Sequence, residues 1–416
     1  MKKIKIFTIA LLMSMGLFSC EKEAANEEPG CTIISPSDGT EISIGETMEI
    51  IVNAEDSDGS IAEVKFYIDG TEKGSATSVP YSYQWDTQGE ELGGHTIKAV
   101  AFDNSGASNS NAINVAIVES SVSSLYTWTE ITDFPGEGRD DAVAFTLNGF
   151  GYAGMGRVSM EVLDDFYKFN PATETWTQLA SFEGIARSNA IAFVIGSNAY
   201  VGLGYGLDGT WGSLDDLWKY DAQNDTWTQL NDFPGGWTMY TSCFVVNSKA
   251  FIVVGGYGHL YEYDPASDTW TEKAVLPADG REAAVAFTIG SKAYYGTGND
   301  DSKSGRQDDF WEYDPSGDSW VQKADFSGTA RNSAVGFVIG NYGFIGNGND
   351  LLHNYSDFRR YDKTSDSWDE IDPYPAGKGR SQISFVIDDV AYVGLGSVGS
   401  DMFTSETKLF YKIQPK

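Results

Sequence analysis

The chain has 416 residues, enough for two or three domains; Gly 46, aromatics at 13% and no sustained helical period describe an all-β protein with many turns. A formal net charge of −32 repels nucleic acid and anionic lipid headgroups and argues against both as ligands, while it favours solubility and suits divalent cations.

The first residues read as a processing signal. Lys2, Lys3 and Lys5 precede the apolar stretch Ile6 to Phe18, whose thirteen residues fall short of the ~20 that a spanning helix needs. The stretch ends in Leu17-Phe18-Ser19-Cys20, which resembles the lipobox of bacterial lipoproteins. The resemblance implies a signal peptide over 1–19, cleavage before Cys20 and lipid on that thiol; the alternative is a plain secretory signal. Residues 20–30, with Glu21, Glu23, Glu27 and Glu28, form an acidic tether similar to that of surface-exported lipoproteins of the Bacteroidota, or simply a solvated linker. The implied address is the outer membrane, lipid-anchored and surface-exposed, with a periplasmic orientation as the alternative. Loss of a leader carrying three lysines and no acids leaves 25 Lys+Arg against 60 Asp+Glu, a net −35. Cys31 and Cys243 then remain, expected as free buried thiols with no cysteine metal site.

Residues 31–119 carry short strand-like runs (Met48 to Val52, Val64 to Ile68, Tyr81 to Trp85, Thr96 to Ala101, Ile113 to Val118) separated by Asp58-Gly59, Asp69-Gly70, Gly93-Gly94 and Ser105-Gly106. This spacing predicts an Ig-like β-sandwich and resembles the bacterial Ig-like domains found beside carbohydrate-active and adhesive modules. Its acidic turns, with Asp56, Asp58 and Asp103, either supply hard oxygen ligands for a structural calcium or are ordinary Asx turns. No other cofactor is expected. Residues 120–124 are a polar linker.

From 125 to 416 the chain repeats itself. A Trp phrase recurs at Trp128, Trp176, Trp227, Trp270, Trp320 and Trp368, a mean step of 48 residues. Each unit holds an apolar strand (AVAFTL from Ala142), a strand ending in glycine (AYVGLG from Ala199), a third strand (DLWKYD from Asp216) and the Trp phrase. The order resembles kelch repeats, four strands in about 50 residues, and implies a six-bladed β-propeller. The first Trp phrase lacks a third strand before it and the last repeat stops after its own third strand. Residues 126–131 are therefore expected beside 408–413 as the outermost strand of the last blade.

Turns leading into the first strand and leaving the second open on one axial face. Arg139, Arg187, Arg281 and Arg331 stand six residues before the strand phenylalanine, Arg380 stands five before Phe385, and Thr238 takes the place in blade 3. Arginines in a ring would bind a carboxylate or sulfate, as in kelch receptors that capture acidic peptides, or would pair with carboxylates such as Asp140, Glu282, Asp164 or Asp215 and staple the blades. Trp237, Thr238, Tyr240, Tyr205, Trp211 and Tyr257 offer aromatic and hydroxyl groups suited to a sugar ring, and Arg157 adds a cation. Asp300 and Asp350 are either general acid/base groups or turn residues.

Three function classes follow. Copper oxidation of the galactose-oxidase kind is set aside because the chain has three His and no suitable His/Tyr set. A membrane-anchored binding protein, its propeller face capturing a carbohydrate or protein ligand at the cell surface, fits the order of anchor, tether, sandwich and propeller. The alternative is a sugar mutarotase, since the repeats resemble N-acetylneuraminate epimerase, which acts on an acidic sugar.

Overall fold

A computed structural model of the chain describes residues 26–118, 125–208, 210–236, 238–278, 280–300, 305–401 and 403–416. The leader with Cys20, the first part of the tether, Glu119, the linker 120–124 and Trp237 lie outside the described residues. The chain divides into two compact units, 1–118 and 119–416. No helix among the described residues is long and apolar enough to cross a membrane.

The first unit is a sandwich of two sheets. One orders β1 (Gly30–Ser35), β3 (Thr47–Glu55) and β6 (Tyr81–Asp86); the other orders β2 (Glu41–Ser43), β8 (Ser108–Val118), β7 (Gly93–Asp103), β4 (Ile61–Ile68) and β5 (Thr71–Ala76). Period-two patterning fixes which face goes inward: Val64, Phe66 and Ile68 of β4 are buried and the residues between them are not. They pack with Ile50, Trp85, Ile97 and Ile117 in one core. The Asp69-Gly70 turn joins β4 to β5, with both residues at positive φ (49° and 81°), the geometry of a two-residue hairpin.

The acidic turns share one end of this sandwich. Burial, then neighbouring Asp58 and Asp103, raise the pKa of Asp56. The oxygens of Asp103 are taken up by the Ser105 and Ala107 N–H groups (2.8 and 2.9 Å) and the Asn26 amide (2.8 Å), while Asp58 accepts from the Glu27 N–H (3.0 Å). Among the described residues no group of three or more His, Cys, Asp or Glu is placed to hold a metal ion. Asp103 thus closes an Asx turn on the Ser105 N–H, while both buried oxygens of Asp56 lack a hydrogen-bond partner among the described residues.

The second unit is a six-bladed propeller, each blade a four-stranded antiparallel sheet with strands a to d from the axis outward. Blade 1 comprises Val143–Leu147, Phe150–Gly154, Phe166–Asn170 and Thr175–Gln178; blade 2, Ile191–Ile195, Asn198–Gly202, Leu217–Asp221 and Thr226–Gln229. Blade 3 comprises Ser242–Val246, Lys249–Val253, Leu260–Asp264 and Thr269–Lys273; blade 4, Val285–Ile289, Lys292–Gly296, Phe310–Asp314 and Ser319–Lys323. Blade 5 comprises Val335–Ile339, Tyr342–Gly346, Phe358–Asp362 and Ser367–Ile371. Blade 6 takes strands a to c from Ile383–Ile387, Val390–Gly394 and Phe410–Pro415, and its strand d is β9, Tyr126–Glu130. The register runs from Tyr411↔Glu130 to Pro415↔Tyr126, so the propeller's own first strand closes the ring.

The core lies between blades. Strand b is buried along both faces, which is why it reads as an unbroken apolar run. One cluster joins Val143, Phe145 and Phe166 of blade 1 to Val201, Tyr220 and Trp227 of blade 2. The repeated Trp fills the seam: the Trp227 ring meets Phe166 and Phe182 edge-on at 5.4 and 4.9 Å. The repeated Tyr and Asp hook adjacent blades, since the Tyr220 hydroxyl donates to Asp225 (2.8 Å) and Asp225 accepts the Ala180 N–H from blade 1 (2.8 Å).

Candidate functional site at the axial mouth

Four of the five arginines proposed as a ligand-binding ring are buried, at 0–1% exposure. Each grips the aspartate that opens strand c of its own blade. Arg187 Nη1 and Nη2 meet the two oxygens of Asp216 at 2.6 and 2.7 Å, and Nη1 also donates to the Leu203 carbonyl (3.1 Å). Arg331 repeats this with Asp357 (2.7 and 3.0 Å) and the Asn347 carbonyl, and Arg139 and Arg281 do so with Asp165 and Asp309. The Phe134, Phe182 and Phe326 rings each stack 4.9 Å from the guanidinium of Arg139, Arg187 and Arg331. These residues are therefore blade clamps and line no part of the axial cavity. Their partners are Asp165 and Asp216, not the preceding Asp164 and Asp215.

The two blades without a clamp lack both halves of it. Thr238 and His259 occupy the Arg and Asp positions in blade 3, and Gly379 and Leu409 occupy them in blade 6. Thr238 is buried and donates to the Leu214 and Gly204 carbonyls (2.7 and 3.2 Å), so it replaces a structural link and offers nothing to a ligand. Arg380 is not a clamp from a shortened blade. Its backbone pairs with Ser397 as Asp140 pairs with Arg157 and Glu282 with Asn299, which places it one position further along, at the mouth.

The mouth is built on a ring of left-handed residues. Asp141, Asn189, Tyr240, Ala283, Ser333 and Ser381 take φ between 51° and 57°, one per blade. The N–H of Asn189 donates to the Asp141 carbonyl (3.0 Å), Ala283 to Tyr240 (3.0 Å), Ser333 to Ala283 (3.0 Å) and Ser381 to Ser333 (2.9 Å). Each such residue costs about 1–2 kcal/mol of backbone strain, held here by those bonds between blades. Glycine fits the close approach beside it. At Gly156, φ is +89° and a Cβ would sit 2.6 Å from the Asp140 carbonyl.

Above this ring lies a cavity of about 480 Å³ lined by Asp140, Asp141, Arg157, Tyr240, Glu282, Asn299, Arg306, Asn332, Asn349, Leu351 and Arg380, among others. Asp141 pairs with Arg157 (3.2 Å). Arg306 donates to the side-chain oxygens of Asn299 and Asn349, the latter at 3.5 Å. Both oxygens of Asp140 accept from the Ser397 hydroxyl (2.7 and 2.9 Å). Burial pushes the Asp140 carboxyl up to about 6; the Ser397 bond opposes this and Asp141 adds to it. Arg380 is exposed and forms no side-chain hydrogen bond or ion pair among the described residues.

The remaining expected residues distribute unevenly. Tyr240 lines the cavity, half-buried. Tyr257 is 69% exposed on the b–c connection of blade 3, outside the cavity lining. Tyr205 and Trp211 lie on the hairpin Tyr205–Asp208 and Thr210–Ser213, where Tyr205 pairs with Ser188 and Trp211 with Leu207. Asp300 is buried and adds to the field that raises the pKa of Arg281. Asp350 accepts the Leu352 and His353 N–H groups and the Tyr355 hydroxyl (2.9, 2.7 and 2.6 Å), which hold its carboxyl far below the usual range against its burial. It organises a loop and cannot deliver a proton near neutral pH. Sequence reasoning missed Asp140 as a perturbed acid, and missed Arg306 and the ring of amides. Their signal was positional: all but Arg306 stand five residues before the strand-a aromatic or directly after the strand-b glycines.

Residues 29–99 match the family described as bacterial Ig domain. No curated protein matches the chain. Among solved structures, that of YjhT is similar at 17% identity and TM-score 0.58, covering 67% of this chain and 95% of that one. At such identity the likeness is one of fold.

Proposed function

We propose that the chain is an exported, lipid-anchored binding protein whose propeller mouth captures a carboxylate-bearing ligand, an acidic carbohydrate or an acidic protein segment. The single observation that carries this reading is Arg380: an exposed guanidinium without an ion pair among the described residues, at a polar cavity whose nearby carboxylates Asp140 and Asp141 are already engaged. Free arginine next to amides of Asn299, Asn332 and Asn349 suits a carboxylate with hydroxyl neighbours. Calorimetric titration of the mature protein with N-acetylneuraminate, glucuronate and uncharged N-acetylglucosamine tests it. Acidic sugars are expected to bind, with about tenfold or greater weakening in Arg380→Met; equal response to charged and uncharged sugars overturns it. Incorporation of labelled palmitate that persists in Cys20→Ser would separately sink the anchor.

One observation favours a second reading, a sugar mutarotase. Asp140 combines a carboxyl near 6 with a place in the cavity wall, the two properties a proton-transferring group needs. Anomer exchange of fresh N-acetylneuraminate followed by NMR, unaccelerated over buffer, removes this reading; acceleration lost in Asp140→Asn supports it.

A further inference from the structure

The large apolar side chains exposed on the propeller are not scattered. Among the described residues the five most exposed, Phe403 (80%), Met160 (77%), Leu351 (73%), Tyr257 (69%) and Leu352 (68%), all lie on connections between strands b and c. Those connections rise from the same face as the mouth. Among the described residues no other exposed apolar side chain of the propeller exceeds 56%. Single exposed apolar residues need no explanation, but a set confined to one rim does.

Four of the five sit on consecutive blades 5, 6 and 1, and their loops are tied together. Asp401 of blade 6 accepts the Asn354 N–H of blade 5 (3.2 Å) and the Lys378 ammonium (2.9 Å), and the Gly399 N–H donates to the Lys378 carbonyl (2.9 Å). Across the closing seam, Glu406 of blade 6 accepts the Ser159 N–H of blade 1 (3.2 Å). Leu351, Leu352, Phe403 and Met160 thus stand on a braced crescent, which lowers the entropy lost when a partner seats on them. Leu351 also lines the cavity, so the rim meets the mouth at that residue, and Arg380 lines the same cavity.

A free sugar in a cavity of about 480 Å³ does not account for exposed residues on the hairpin tips. We infer that the ligand of the mouth is a protein segment: a carboxylate side chain or chain end that reaches Arg380, flanked by apolar side chains that cover Phe403, Met160, Leu351 and Leu352. This rests on the mouth being the binding site, as proposed above, and goes on to name the kind of partner. Charge complementarity at Arg380 gives register, and the apolar crescent gives contact area.

Peptide display on the mature wild-type protein tests it, with Phe403→Ser/Met160→Ser and Arg380→Met as parallel baits, each checked for wild-type circular dichroism and melting. Selected peptides are expected to share an Asp, Glu or free C-terminus beside Leu, Phe, Met or Trp. Their affinity should fall about tenfold or more on either variant bait, a loss on the order of 1.4 kcal/mol. Peptides indifferent to the rim variant, or no enrichment at all, overturn the inference. If N-acetylneuraminate still binds in an Arg380-dependent way when rim-dependent peptides are absent, the mouth stands and only the partner class falls. If Arg380→Met alters neither sugar nor peptide binding, both fall.

Discussion

Replacing Arg187 with Met removes one blade clamp and leaves its partner in place. Arg187 is fully buried and the Asp216 side chain is 15% exposed, so the carboxylate cannot recover its hydration without opening the blade. It keeps the Trp218 indole N–H (2.6 Å) but loses both guanidinium bonds, and the Leu203 carbonyl loses its donor. Breaking a buried pair from one side costs about 3–5 kcal/mol, and for a unit of this size about 2 °C of melting temperature accompanies each kcal/mol. The expected loss is therefore about 6–10 °C, read by tryptophan fluorescence, which reports chiefly on the propeller because the Trp phrase repeats there. The pH dependence gives an independent check. Although burial opposes it, the Arg187 partnership holds the folded Asp216 pKa below its ordinary value, so the clamp stabilises above that ordinary value and is lost as pH falls through the folded one. Arg187→Met should flatten that acid limb. Blade 3 supplies the control: Arg187→Thr/Asp216→His should be less destabilised than Arg187→Thr alone, since blade 3 holds this Thr and His together. A single substitution costing under about 1 kcal/mol, or a double no better than the single, would refute the assignment of these arginines to structure.

Asp140 makes the opposite prediction: with its folded pKa raised from 3.8 to about 6, its stabilisation is present below pH 4 and lost as pH rises through 6, by about 3 kcal/mol at most, and Asp140→Asn should abolish that slope in a melting series from pH 4 to 7. Gly202→Ala would put a Cβ 2.3 Å from the Asp216 carbonyl and should cost about 1–3 kcal/mol or more in urea unfolding; a neutral result would mean that strands b and c are not so closely apposed. Removing residues 126–130 should leave blade 6 with an unpaired strand c and produce concentration-dependent aggregation by light scattering, whereas a monomer melting like the full chain would contradict closure by β9.

The fold was legible because its signals repeat. The strand-b glycines, the Tyr–Asp hook and the seam Trp each recur at fixed spacing, and the absence of one third strand before Trp128 sufficed to place the closing strand. The site was less legible because a one-residue shift decides it. In an extended strand that shift turns a side chain from the clamp pocket to the mouth, so Arg380, one position past the others, was grouped with residues whose environment is opposite. The clamp could have been found from the chain alone: Arg and the strand-c Asp are present together in four blades and absent together in two. Only its position, five residues before Phe145, marked Asp140: its raised pKa comes from burial that no local pattern shows, and its partner Ser397, which opposes the rise, lies 257 positions away across the seam.

Closure by β9 also fixes an order of assembly. Glu130 and Tyr411, bonded at 3.1 Å, are 281 residues apart, and joining ends so distant in an unstructured chain costs about 5 kcal/mol in loop entropy. Blades 1 to 5 each complete their sheets from contiguous sequence and can form as the chain emerges. Blade 6 cannot: its inner three strands come from residues 383–415 and its outer strand from residues 126–130. Until strand c of blade 6 is made, β9 waits with both edges unpaired. The strand that completes the last blade is, during synthesis, a segment open to mispairing and in need of a chaperone's cover.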